Sequence, residues 1–252
     1  MDYLCREALA QADAGAQILD LNVGLPEIDE PDMLCRAVQA VQAVCDLPLQ
    51  LDTSDPVALE RALRIYNGRP LINSVNGGAA VVALTLDEGG IPSTAAGRIA
   101  IAEKMLATAK TYGLSEQDLI VDALAMTVST GPDNAAVALE TLDYVRHRLG
   151  MQTVLGVSNI SFGLPRREKI TAAFFTLAMG RGLSAGIVNP GEAAIMDAYR
   201  SYCALMGFDD HCAAYVAHYS AAAETPTPAP SSQERTLRRA VLKGLSHEAA
   251  EE

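Results

Sequence analysis

Apolar residues recur along most of the chain in two alternating rhythms. Stretches with apolar positions three or four apart read as amphipathic helices, and short, nearly continuous apolar runs between them read as buried strands. Residues 2–14 predict the first helix, with Leu4, Ala8 and Leu9 on one face and Gly15 as its stop. A strand follows over 17–24, then a helix over 32–45 with Leu34, Val38, Val41 and Val44 on one side. Residues 47–52 form the second strand. Asp55 and Pro56 open a helix running to Tyr66, an N-cap followed by proline at the first helical position. The alternation continues with strands over 70–74 and 79–85, a helix over 94–112, a strand over 118–124 and a helix over 133–149. A strand over 153–159, a helix over 167–181, a strand over 184–190 and a helix over 192–205 complete it.

One place breaks the rhythm. Only residues 75–78 separate the third strand from the fourth, whereas a parallel crossover usually needs about a dozen residues or more. Two readings stay open: an antiparallel hairpin, or the loss of a helix present in the ancestral fold. Strands alternating with helices of this length predict a parallel sheet, either a barrel or a doubly wound sheet. A doubly wound nucleotide fold should show GxGxxG after its first strand, and the sequence has none there. The expected fold is therefore α/β, a TIM (β/α)8-type barrel that is incomplete. It opens on a helix where a first strand should stand, and it lacks one crossover helix. Such an open barrel has two unpaired edges, for which closure around the gap and dimerisation as a homodimer are the two remedies.

The character changes beyond Gly207. A further helix is expected over 213–223, a proline-rich linker over 225–232, and a last helix over 234–252 with Leu237, Val241, Leu242 and Leu245 as its stripe. The expected organisation is a barrel over 1–206, a helix and linker over 207–232, and the start of another module over 233–252.

Composition narrows the classes. Half of the 252 residues are hydrophobic, enough for one sizeable core. No apolar run is long enough to span a membrane, and the N-terminal pattern is an amphipathic helix, not a signal peptide. Five cysteines without CxxC spacing argue against a disulfide framework and for the cytoplasm. A net charge of −12 disfavours nucleic acid, which needs clustered Lys and Arg.

In a (β/α) barrel the C-terminal strand ends converge on one mouth. Those ends carry Asp20 and Asn22, Asp52, Asn73, Asp122, Asn159 and Asn189, while the fourth strand ends at Thr85. Any one of them is as well accounted for as a turn former or helix cap; six strands ending this way are much harder to dismiss so. No His, Lys or paired Cys stands at a strand end, so covalent catalysis and a metal site are not expected. Carboxylates and carboxamides together suit a planar heterocycle with several N–H donors.

The segments LDLNVG (19–24), LDTSD (51–55), INSVNG (72–77), LTLDEGGIP (84–92), VLGVSNISFGLPRR (154–167) and AGIVNP (185–190) carry a resemblance. They resemble the pterin-binding domain of cobalamin-dependent methionine synthase and the related methyltetrahydrofolate:corrinoid methyltransferases, over roughly residues 1–206. The resemblance implies a barrel that binds 5-methyltetrahydrofolate and gives its methyl group to the cobalt of cob(I)alamin. It implies that Asp52, Asn73 and Asp122 hold the pterin ring, that Asn159 hydrogen-bonds the methyl-bearing nitrogen, and that Arg167 lies beside the site. By the same resemblance, Asp20, Asn22 and Asn189 would be further lining residues. The corrinoid would be carried by a partner domain or protein, whose lead-in the last helix resembles. Dihydropteroate synthase, a pterin enzyme of the same fold, is one alternative; it is expected to carry Lys and His near its late strands. The other is a non-catalytic fragment that only packs against neighbouring domains.

Overall fold

The computed structural model describes residues 1–73 and 80–222. The alternation is realised as α1 (Asp2–Asp13), β1 (Leu19–Asn22), α2 (Glu30–Gln42), β2 (Leu49–Asp52), α3 (Pro56–Ile65) and β3 (Leu71–Asn73). After these come β4 (Ala80–Leu84), α4 (Ala95–Thr111), β5 (Leu119–Asp122), α5 (Asn134–His147), β6 (Gln152–Gly156), α6 (Arg167–Gly180), β7 (Ala185–Ile187) and α7 (Ala193–Leu205). Helix starts use short polar caps: the Asp29 carboxylate accepts from Asp32 N–H, Asp55 from Val57 N–H, and the Thr94 hydroxyl from Gly97 N–H.

The seven strands form one sheet in chain order, and every neighbouring pair is parallel. Side chains of β1, β2, β3, β5, β6 and β7 together line an interior cavity of about 320 Å³, so the sheet curls into a nearly closed barrel. Among the described strands, β1 and β7 are its two margins, each paired on one side. The hairpin reading of β3 and β4 is therefore wrong: Leu71, Ile72 and Asn73 pair in parallel with Ala80, Val81 and Val82. The expected crossover length failed because these strands are so short. From Asn73 the chain must return only about two residue rises and one strand spacing, roughly 8 Å. Seven peptide steps can reach about 24 Å.

The core lies in layers. Leu34, Val38 and Val41 of α2 and Ala58, Leu59 and Ala62 of α3 pack on Leu19, Leu21, Leu49 and Leu51. On the far side, Leu142 of α5 and Phe174, Phe175 and Ala178 of α6 pack on Leu155. Each leucine buried this way contributes about 2 kcal/mol. Inside the barrel, Leu71, Val82 and Val154 form the buried centre of a cluster with Leu84, Ile120, Ala185 and Ile187.

Contacts divide the chain into two compact units, Met1–Tyr202 and a second from Cys203 onward. The described part of the second contains α8 (Ala213–Ala222), whose start is capped by the Asp209 carboxylate accepting from Ala214 and Tyr215 N–H. The expected linker and final helix lie outside the described residues. No helix among the described residues is long and apolar enough to cross a membrane.

Candidate functional site

Side chains alternate across a strand, so the inward residues of each strand fall two apart. The interior cluster and cavity identify the lower inward layer as Asp20, Gln50, Leu71, Val82, Ile120, Val154 and Ala185. Two residues further along come Asn22, Asp52, Asn73, Leu84, Asp122, Gly156 and Ile187. This upper layer is the mouth. In register, Asn22 lies beside Asp52 and Asp52 beside Asn73. Asn73 then lies beside Val82, and Val82 beside Ile120, two residues before Asp122. That climb is the stagger of a barrel, in which residues at one height advance along successive strands. The structure thus brings Asn22, Asp52, Asn73 and Asp122 into one polar arc on rigid strand ends. Within it, Asn22 Nδ2 donates to Asp52 Oδ2 at 2.9 Å, and Asn22 Oδ1 accepts from Gly24 N–H at 3.0 Å.

Not every strand ends as the sequence suggested. Four of the seven end directly in Asp or Asn; the others end at Leu84, Gly156 and Ile187. β6 stops three residues before Asn159, which sits in a 3-10 turn over Val157–Ser161. The turn nevertheless returns Asn159 to the arc. A Cβ built on Gly156 would stand 2.9 Å from Asn159 Nδ2. The carboxamide therefore occupies the place that β6's own upper inward side chain would fill. Gly156 is required here for close approach, and Gly156→Ala is expected to displace the Asn159 amide while leaving the barrel folded. With the fold checked by circular dichroism, any activity that depends on Asn159 should then fall by at least about tenfold; an unchanged rate would remove Asn159 from the reacting groups.

The turn is braced from two directions. The loop after β5 supplies Thr127, whose hydroxyl donates to Phe162 O at 2.8 Å, Ser129, which donates to the same oxygen at 3.2 Å, and Val128 N–H, which donates to Ile160 O at 3.0 Å. From α6, Arg167 donates to Ser158 O at 2.8 Å and Ser161 Oγ at 3.2 Å, and its guanidinium lies over the Phe162 ring, 5.3 Å from the centroid. Arg167, expected beside the site, spends these hydrogen bonds on the turn that carries Asn159.

Asp122 is the most perturbed group of the arc. Burial pushes its carboxyl up to about 6, against the opposing pull of the Leu124 N–H and the Arg98 charge. Its Oδ1 accepts from Leu124 N–H at 2.7 Å. Its main-chain carbonyl accepts from both the N–H and the hydroxyl of the buried Thr85, at 3.1 and 2.9 Å. Thr85, the exception among the polar strand ends, thus anchors Asp122 from β4.

Two further predicted lining residues stand outside the upper layer. Asp20 belongs to the lower layer, where Gln50 Nε2 donates to its Oδ1 at 2.7 Å. Desolvation raises its pKa, the Gln50 hydrogen bond opposes this, and repulsion from Asp52 adds to it. Asn189 lies two residues past β7, exposed, with Oδ1 accepting from Gly191 N–H at 2.9 Å. That is the turn-forming role of a loop asparagine. Arg98 went unnoticed in the sequence. Its signal was an arginine on the same helical face as Ala95, Ala102 and Ala109, where a charged residue has no solvent to meet. Among the described residues, no group of three or more His, Cys, Asp or Glu is placed to hold a metal ion.

The fold and its mouth define an α/β-barrel protein with a polar arc at the C-terminal ends of its parallel strands, the place where barrels of this kind carry their sites. Comparison with known proteins makes this specific: the chain belongs to the family of pterin binding enzymes, which matches residues 1–97 and 91–189. It is 30% identical over 232 positions to the methylcorrinoid:tetrahydrofolate methyltransferase of Eubacterium limosum, covering 84% of this chain and 85% of that protein. It is also 30% identical over 215 positions to the methionine synthase of Mycobacterium tuberculosis, covering 74% of this chain and 18% of that protein. The chain thus spans under a fifth of the synthase. Among solved structures, dihydropteroate synthase from Thermus thermophilus superposes with a TM-score of 0.65 over 81% of this chain and 89% of that one, at 23% identity. The enzyme from Xanthomonas albilineans in complex with 7,8-dihydropteroate gives 0.63 at 20%. At these identities the likeness establishes the barrel fold. The 232 aligned positions outnumber the residues of this chain that they use, so the Eubacterium protein carries positions this chain lacks.

Proposed function

We propose that this chain is a methyltransferase that binds 5-methyltetrahydrofolate at the barrel mouth and exchanges its methyl group with a corrinoid. The observation that carries the reading is the polar arc of Asn22, Asp52, Asn73 and Asp122, completed at β6 by the Asn159 carboxamide. The donor set fits a reduced pterin: Asp52 and Asp122 accept from the ring's N–H donors, and Asn73 and Asn22 can both donate and accept.

The chemistry asks little else of this chain. A tertiary amine is a poor leaving group, so the methyl-bearing nitrogen must gain a proton before the methyl group moves. Asn159 supports that proton through its carboxamide oxygen, and the contact strengthens as positive charge develops. The corrinoid, carried by a partner domain or protein, supplies the cobalt that exchanges the methyl group. The Eubacterium relative is named for transfer from methylcorrinoid to tetrahydrofolate; the same nitrogen–methyl bond is formed in that direction and broken in the other, so the same residues serve both. A cytoplasmic setting fits five cysteines that are all free.

Isothermal titration of the chain with 5-methyltetrahydrofolate tests the reading. A dissociation constant below about 1 mM is expected. No heat of binding at that concentration would overturn it in favour of a non-catalytic barrel. Dihydropteroate synthase chemistry is the second reading; turnover of a pterin pyrophosphate with an arylamine, without folate binding, would establish it instead.

A further inference from the structure

We propose that Arg98 is a positioning residue for this site: its buried guanidinium fixes the left-handed turn at Leu124 and thereby presents the Asp122 carboxylate to the barrel mouth. Arg98 is 1% exposed, on the inner face of α4. Its Nε donates to Pro92 O at 2.9 Å, and one terminal nitrogen donates to Ala123 O at 2.8 Å and Leu124 O at 2.6 Å. Leu124 has φ 59°, a conformation that a leucine adopts only at a cost. The two carbonyls held by one guanidinium balance that cost. The turn aims Leu124 N–H back at Asp122 Oδ1.

The neighbourhood is built for this contact. A Cβ on Gly97 would stand 2.7 Å from Pro92 Cβ, so glycine lets the loop carrying the Pro92 carbonyl lie against the start of α4. Downstream of Leu124 the same loop reaches Thr127, Val128 and Ser129, which brace the Asn159 turn. One buried arginine therefore stands at the root of the segment that connects Asp122 to Asn159.

Charge acts with geometry. Arg98 is the charged group that opposes the desolvation of Asp122. Among the described residues, the neighbouring strands face Asp122 with side chains that do not titrate: β4 gives Leu84 and Thr85, and β6 gives Val154. Asp118, just before β5, is engaged by Ser115 and Arg69 at the opposite end of the strand.

The consequence for ligand rests on the folate reading above; the effect on Asp122 does not. In the full chain, Arg98→Gln should raise the Asp122 midpoint, followed by carbon NMR of its carboxyl, by about one unit or more. Affinity for 5-methyltetrahydrofolate at neutral pH should fall several-fold. Arg98→Lys keeps the charge but loses the fork; it should restore the midpoint and only part of the affinity. A folded Arg98→Gln with unchanged midpoint and affinity would overturn the proposal. If neither variant folds, the wild type decides: the Leu124 amide nitrogen should titrate with a midpoint near 6, and a flat Leu124 signal would overturn it. A wild type that does not bind folate would sink the functional reading and leave the two titrations to judge Arg98.

Discussion

Asn159→Ala is expected to slow methyl transfer by on the order of a hundredfold, the loss typical of one group aimed at developing charge, with a much smaller change in folate affinity. The asymmetry follows from where the carboxamide sits. It takes the β6 place in the arc, but it hangs from a 3-10 turn held by Arg167, Thr127 and Ser129. It is not part of the strand-borne arc of Asn22, Asp52, Asn73 and Asp122 that would grip the ring. Its contact gains strength only as the nitrogen becomes positive, so its removal should appear in the rate constant of the chemical step. Single-turnover kinetics with cob(I)alamin, beside a binding isotherm, measures both quantities. Equal losses in rate and affinity would make Asn159 a binding residue and no more.

Asp122→Asn should weaken folate binding and stabilise the protein at the same time. The folded carboxyl titrates near 6, above its ordinary value of 3.8. A group raised in this way contributes its stability below the unfolded value, and that contribution is lost as pH rises through the folded one. Above pH 6 the wild type therefore carries a deficit of about 3 kcal/mol that asparagine does not. The variant should unfold at higher denaturant than wild type at pH 8, and the two should converge toward pH 4. Binding runs in the opposite sense, because ring N–H donors need the ionised form. Wild-type affinity should fall about tenfold between pH 7 and pH 5, while the variant's weaker affinity stays flat. A variant no more stable than wild type at pH 8 would mean that Asp122 is not strained by burial.

Much of this was legible in the chain of residues alone. Periodicity separated helices from strands because α2 and α3 each bury one stripe, while the strands are short runs whose helix-facing residues are mostly apolar and, from β3 to β7, whose lower inward residues are apolar too. Asp52, Asn73 and Asp122 were found as strand ends because a polar residue that closes an apolar run marks where the strand leaves the core. What pattern could not supply was height and facing. Asp20 and Asn22 share a strand and both face inward, yet only a layer count separates the interior from the mouth. Asn159 looked like a strand end because apolar Val157 and Ile160 continue the run, although the ladder stops at Gly156. The β3–β4 connection misled for a different reason: the return path scales with the length of the strand just left, and the three-residue β3 needs very little. Arg98 was invisible as chemistry because its role is carried by backbone carbonyls, which have no signature in sequence.

The glycine at the end of β6 divides labour in a way that evolution or engineering could use. In the folate reading proposed above, Gly156 leaves its inward slot empty, so the group set against the reacting nitrogen would arrive from a separately braced turn, while the groups set around the ring would belong to the sheet. Changes along β1, β2, β3 and β5 would retune which heterocycle is held. Changes in 157–167 would retune turnover. Selectivity and speed can then drift independently, and a lineage could lose the second while keeping the first as a plain folate-binding barrel.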